Sequence, residues 1–184
     1  MAQVLVLVDH LDGAVRKTTI ELLTIARRLG RPAAVFVGDG FENAAGTLAE
    51  YGADDVWLVG GEGLEDHLVL PKVEALAAAI GQARASEPPA AVLIPSSSEG
   101  KEIAGRLAVR LGSGVITDAV DVAAGPDGAV VTTQSAFAGS FAVTARVTRG
   151  IPVITVKPNS AEPAPDPAMV MVNPFWPARR ENIR

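Results

Sequence analysis

The chain contains no cysteine, which removes disulfides, thiolate-bound zinc and thiol nucleophiles from consideration. Histidine is nearly as scarce, with His10 and His67 alone. A metal site would have to lean on carboxylates, and no compact cluster of ligands occurs in the sequence. Aromatic residues make up 4% against 48% hydrophobic residues in all, so Ala, Val, Leu and Ile must fill the core. Positive charge is in deficit: 16 Lys and Arg face 21 Asp and Glu, for a net charge of -5. That balance argues against a general nucleic-acid surface or an anionic-membrane surface. The first apolar run has no basic segment before it and is too short for a signal peptide or a membrane span, so the cytoplasm is the expected compartment. A length of 184 residues fits one domain, or a domain with a tail.

What is present is an alternation of short apolar runs and helical periodicity. Residues 3–8 read as a first strand, followed by a turn over 9–13 and a helix over 14–29 ending at Gly30. A strand over 33–37, a helix over 43–51, a strand over 55–59 and a helix over 72–84 behind Pro71 continue the pattern. The run 90–94 has no polar side and predicts a strand buried in a parallel sheet. Beyond it, Ile103, Leu107 and Leu111 recur every four residues and mark the core face of a helix that Gly112 stops. After Gly112 helices cease: 115–123, 129–135, 141–149 and 151–156 read as extended, which predicts antiparallel strands added to one side of the sheet. The expected fold is a Rossmann-like, three-layer α/β/α domain over 1–157, with a mostly parallel sheet and added antiparallel strands in its C-terminal half. From Pro158 the composition shifts to proline, so 158–184 reads as a tail or linker with at most one short edge strand over 169–172. Near its end Phe175 and Trp176 either fold back on the core or anchor a partner.

The loop between the buried strand and the last helix concentrates polar groups: Ser96, Ser97, Ser98, Gly100 and Lys101. Ligands of open α/β sheets sit beyond strand carboxyl ends, where helix N-termini favour anions, and Lys101 and Arg106 add positive charge. The plainer reading is a strand-to-helix turn with a serine as N-cap. Gly100-Lys101 is not a phosphate loop, because its first glycine is missing and Glu102 stands where a magnesium-binding hydroxyl belongs. Ser98 and Lys101 have the Ser-x-x-Lys spacing of some acyl enzymes, but the companion elements are absent and Ser98 is expected to precede the helix. His10, between Asp9 and Asp12, could act in acid–base chemistry but has no accompanying nucleophile; a turn histidine is the simpler reading. Gly38-x-Gly40 lacks the third glycine of a dinucleotide fingerprint.

Several stretches, taken in order, resemble one family. Val4-Leu5-Val6-Leu7-Val8-Asp9-His10, Gly100-Lys101-Glu102-Ile103-Ala104-Gly105-Arg106-Leu107-Ala108, Leu111-Gly112-Ser113-Gly114-Val115-Ile116-Thr117-Asp118, Phe137-Ala138-Gly139-Ser140-Phe141 and Pro152-Val153-Ile154-Thr155-Val156-Lys157-Pro158-Asn159 are similar to the N-terminal domain of the electron transfer flavoprotein alpha subunit. The resemblance covers about residues 3–159. It implies a scaffold domain that packs against a beta subunit of similar fold, which binds AMP. It also implies that FAD is held chiefly by the alpha C-terminal domain, whose Val-Val-Ser-Gly-Gly-Arg-Gly-like signature does not occur here. The whole family protein would carry electrons from flavin-dependent dehydrogenases to a downstream acceptor, so no catalytic residue is expected in this chain. The alternative from a different class is an adenine-nucleotide-binding module, with the 96–101 loop facing the 9–13 turn.

Overall fold

The computed structural model describes residues 1–61, 64 and 67–174. β1 (Gln3–Leu7) is the axis of the molecule. A two-residue hairpin, β2 (His10–Leu11) and β3 (Ala14–Val15), follows it, then α1 (Lys17–Ala26), β4 (Arg31–Val37), α2 (Phe41–Glu50), β5 (Asp55–Val59), α3 (Leu70–Ala83), β6 (Ala91–Pro95) and α4 (Ser98–Leu111). Then come β7 (Val115–Ala124), β8 (Val130–Ala136), β9 (Phe141–Ala145), β10 (Val153–Val156) and β11 (Met171–Pro174). Among the described residues nine strands form one sheet in the order β11-β5-β4-β1-β6-β10-β7-β8-β9.

Side-chain alternation along the strands divides the core into two layers. Val4, Val6, Ala34, Phe36, Leu93 and Ile154 face α1 and α2, packing on Leu22, Leu23, Ala44 and Leu48. Leu5, Leu7, Val35, Val92, Ile94 and Val153 face α3 and α4, packing on Leu76, Ile80, Ile103 and Leu107. The three-layer α/β/α architecture therefore follows from strands that are apolar on both faces.

Two details differ from the sequence reading. The extended segments after Gly112 are not a simple antiparallel set. β10 enters between β6 and β7 and runs parallel to both. Only β8 opposes its neighbours, pairing antiparallel with β7 and β9. The physical reason is burial: Val153, Ile154, Thr155 and Val156 are all buried, which only a central position allows. Also, α1 begins at Lys17 and not at Ala14, because Asp12 and Gly13 adopt positive φ (49° and 82°) and fold Ala14–Val15 back onto His10–Leu11.

Residues 157–170 run as a strap along the outside of α1. The buried carboxylate of Glu21 accepts the Asn159 N–H at 2.8 Å, and Thr24 Oγ1 accepts the Ala164 N–H at 3.2 Å. Arg27 donates to the Ala164 carbonyl and pairs with Asp166 at 3.1 Å. The strap then delivers β11 to the free edge of β5, where the two strands pair in parallel. Glu21, Thr24 and the C-cap residue Arg27 lie about one turn apart, so one side of α1 is the track for this segment. Glu21→Ala removes the charged acceptor that holds the Asn159 N–H, and a loss of about 1–3 kcal/mol is expected in urea unfolding. Faster hydrogen exchange at Asn159 should accompany it; an unchanged unfolding midpoint would refute the role given to Glu21.

Candidate functional site

The chain leaves β1 toward β4 and β5 on one side and returns to β6 on the other. The reversal opens a crevice at the carboxyl ends of β1 and β6, the usual ligand position in such sheets. The candidate loop forms one wall. Ser97 is the N-cap of α4, with Oγ accepting the Gly100 N–H at 2.9 Å. Ser98 is the first residue of the helix, not a residue before it as its sequence suggests. Gly100 is pressed against the strand end: a Cβ there would lie 2.0 Å from the Pro95 carbonyl oxygen.

Ser96 belongs to a closed ring of hydrogen bonds. Its Oγ donates to Asp118 Oδ1 at 2.7 Å and lies 3.0 Å from Thr155 Oγ1, while Thr155 Oγ1 accepts the Asp118 N–H at 3.0 Å. One assignment satisfies every group: Asp118 N–H to Thr155, Thr155 hydroxyl to Ser96, Ser96 hydroxyl to the Asp118 carboxylate. Lys101 Nζ closes on the other carboxylate oxygen at 2.9 Å. Asp118 sits at φ 59°, a left-handed conformation that Asp tolerates better than most residues, where β7 shifts register against β10. The ring ties β6, β10, β7 and the first turn of α4 together.

The hydrogen bond from Ser96, and then the one from Lys101, hold the Asp118 carboxyl below its ordinary value. A lowered value means that the unfolded chain binds more protons, so the stabilisation is fully present above the ordinary carboxylate range and is lost as pH falls through the lowered value. The stability gap between wild type and Asp118→Asn is therefore expected to hold near neutrality and to close only below about pH 4. Urea unfolding at a series of pH values measures it, and a gap unchanged in acid would contradict the assignment.

The opposite wall is the 9–13 turn. His10 stacks on Phe36 with ring centroids 4.1 Å apart. Its Nδ1 accepts the Gly13 N–H at 3.2 Å, and its Nε2 lies 3.0 Å from the Val37 carbonyl. The Gly13 amide can only donate, so the proton resides on Nε2. Both ring nitrogens are committed to holding the hairpin. The crevice between Asp9 and Ser97 encloses about 30 Å³, room for water. A larger cavity of about 330 Å³ lies beside it, lined by His10, Val37, Gly38, Leu68, Lys72 and Glu99. Lys72 Nζ reaches Glu99 at 2.6 Å across its mouth, and Arg106 pairs with Glu102 one helical turn along.

The structure thus brings Ser96, Ser97, Gly100 and Lys101 together, but facing one another and Asp118. Asp118 and Thr155 are the members that the sequence reading missed. Their signal was an isolated threonine inside the buried run 151–156. Phe175 and Trp176 lie outside the described residues. Among the described residues no helix is long and apolar enough to cross a membrane, and no group of three or more His, Cys, Asp or Glu is placed to hold a metal ion.

The family model described as the electron transfer flavoprotein domain matches residues 4–173. The chain is 42% identical over 174 residues to the electron transfer flavoprotein subunit alpha of Mycobacterium tuberculosis, covering 90% of this chain and 50% of that protein. It is 41% identical over 185 aligned positions to the subunit of the same name from Mycobacterium leprae, covering 99% and 56%. Against the Syntrophomonas wolfei subunit alpha the identity is 35% over 166 residues, covering 88% and 50%. The chain belongs to the electron transfer flavoprotein family. Within that family it corresponds to the N-terminal portion of an alpha subunit, and it spans about half the length of the curated relatives it matches.

Proposed function

We propose that this chain is the scaffold half of an electron transfer flavoprotein alpha subunit. It pairs with a beta subunit, and the resulting complex carries electrons from flavin-dependent dehydrogenases to a downstream acceptor. FAD is assigned to the remainder of the alpha subunit and AMP to the beta subunit. The chain's role is that of a carrier component and not of a catalyst. The observation that carries this reading, beyond family membership, is the state of the switch-point loop. Lys101 is spent on Asp118, Ser97 on the helix cap, Ser96 on the ring and Lys72 on Glu99. Polar groups at the usual ligand position are thus used to hold strands together. A visible spectrum of the purified chain, with mass analysis of anything released on denaturation, tests the division of labour. Absence of flavin and nucleotide is expected, and stoichiometric FAD would overturn it.

A second reading, an adenine-nucleotide-binding module, draws on the 330 Å³ cavity beside His10, which falls at the small end of ligand pockets. To use the 96–101 loop a phosphate would have to draw Lys101 away from Asp118. Calorimetry with AMP and ATP decides: no heat and no thermal shift reject this reading.

A further inference from the structure

β8 and β9 extend the sheet beyond the helical layers, and every residue of β9 is exposed except the half-buried Ala145. At their tip stand Phe137 and Phe141, 80% and 62% exposed, with Val143 43% exposed beside them. The two rings touch edge to face at 5.7 Å and 76°. In a chain with so few aromatics, two displayed on one solvent-facing tip demand a reason.

The turn that presents them is also unusual. Phe137, Ala138 and Gly139 all have positive φ, at 50°, 54° and 90°. Side chains with a Cβ resist that conformation, a large aromatic most of all. The strained backbone gains no burial for the ring that it presents. Such strain is usual where a segment is shaped for a partner. Beside the tip, β9 is the terminal strand of the sheet and carries no charged residue and no proline, the features that ordinarily blunt an edge.

We propose that the β8–β9 hairpin is the anchor of the subunit interface: Phe137 and Phe141 enter an apolar socket on the beta subunit, flanked by the free edge of β9. This rests on the pairing proposed above. Area argues for a different subunit and against a second copy of this chain. Two rings at these exposures offer roughly 300 Å². Two copies meeting tip to tip would bury roughly 600 Å², well short of the 1,200–2,000 Å² of a stable interface. A net charge of -5 on each copy opposes self-association further. A distinct subunit can surround the protruding tip, which two identical tips that meet each other cannot do.

The test is a titration of the 184-residue chain with the beta subunit, read by calorimetry and size-exclusion chromatography. The double variant Phe137→Ser/Phe141→Ser is expected to lose at least about a hundredfold in affinity, as anchors at an interface centre do. Its melting temperature should stay close to that of the wild type, since the rings are exposed. Phe137→Leu/Phe141→Leu, which keeps an apolar tip, should recover most of the affinity. If wild type and the serine variant bind equally, the hairpin proposal fails and subunit pairing stands. If the wild type does not bind the beta subunit, the pairing itself fails and the proposal with it. If the wild type forms a homodimer that the serine variant abolishes, the occupant is a second copy and the assignment is overturned.

Discussion

Gly100→Ala is expected to destabilise the protein by about 2–3 kcal/mol, while Gly105→Ala, the same change five residues along the same helix, should stabilise it. At Gly100 the new methyl would meet the Pro95 carbonyl oxygen at 2.0 Å and Ile94 Cγ2 at 3.2 Å. The first is backbone, fixed by β6 in the middle of the sheet, and cannot step aside. Overpacking of this kind costs about 1–3 kcal/mol or more. Displacing Gly100 also strains the N–H that Ser97 accepts at 2.9 Å, a cap worth about 1 kcal/mol. The gain in helix propensity from Gly to Ala, about 1 kcal/mol, is too small to offset both. At Gly105 nothing lies within 4 Å of the added Cβ, so only that gain remains. Urea unfolding of the two variants against wild type makes the comparison, and a loss at Gly105 or no loss at Gly100 would show that α4 is seated differently.

Phe36→Ala is expected to cost more, about 3–5 kcal/mol, the range for a buried phenylalanine. Phe36 is fully buried on β4, stacked on His10 and meeting Phe41 edge-on at 5.6 Å. It joins three elements: the sheet, the β2–β3 hairpin and the start of α2. Its removal leaves a void facing α1 and α2 and deprives His10 of the surface that holds its ring over Val37. Thermal unfolding gives the size of the loss, and hydrogen exchange at Gly13, whose amide donates to His10, reports whether the hairpin loosens first. A loss under about 1.5 kcal/mol, or protection at Gly13 equal to wild type, would mean that the hairpin is held by other contacts.

The layered fold was legible because its signals are periodic. Ile103 and Leu107 recur at helical spacing and are buried against the sheet; Leu111, the last of the series, is only partly buried because the helix ends there at Gly112. The two-faced apolar character of 90–94 likewise pointed to the centre of the sheet. What periodicity does not encode is pairing between distant segments. Nothing in 151–156 says that it lies between β6 and β7, and nothing in 158–170 says that it lies along Glu21, Thr24 and Arg27. The hairpin at Asp12-Gly13 could have been read, since that dipeptide with positive φ is a strong turn signal. The helical character of the following residues concealed it. At the candidate site the sequence located the right loop but not its use. Ser96 and Lys101 have the chemistry of an anion cradle, and only the arrival of Asp118 and Thr155 from β7 and β10 turns that chemistry inward.

The central place of β10 also fixes the order in which the molecule can be completed. β6 and β7 are each hydrogen-bonded to β10 and not to one another. A nascent chain that has produced everything through residue 150 therefore holds two separate sheets, β4 and β5 with β1 and β6 in one and β7 to β9 in the other. Each leaves a buried-type edge open to solvent, the surface on which chains aggregate. Four residues, Val153–Val156, close both edges at once. Joining contacts so far apart in sequence is slow compared with forming the local βα units. The interval between synthesis of β7 and insertion of β10 is thus the period in which this protein most depends on being kept from other chains.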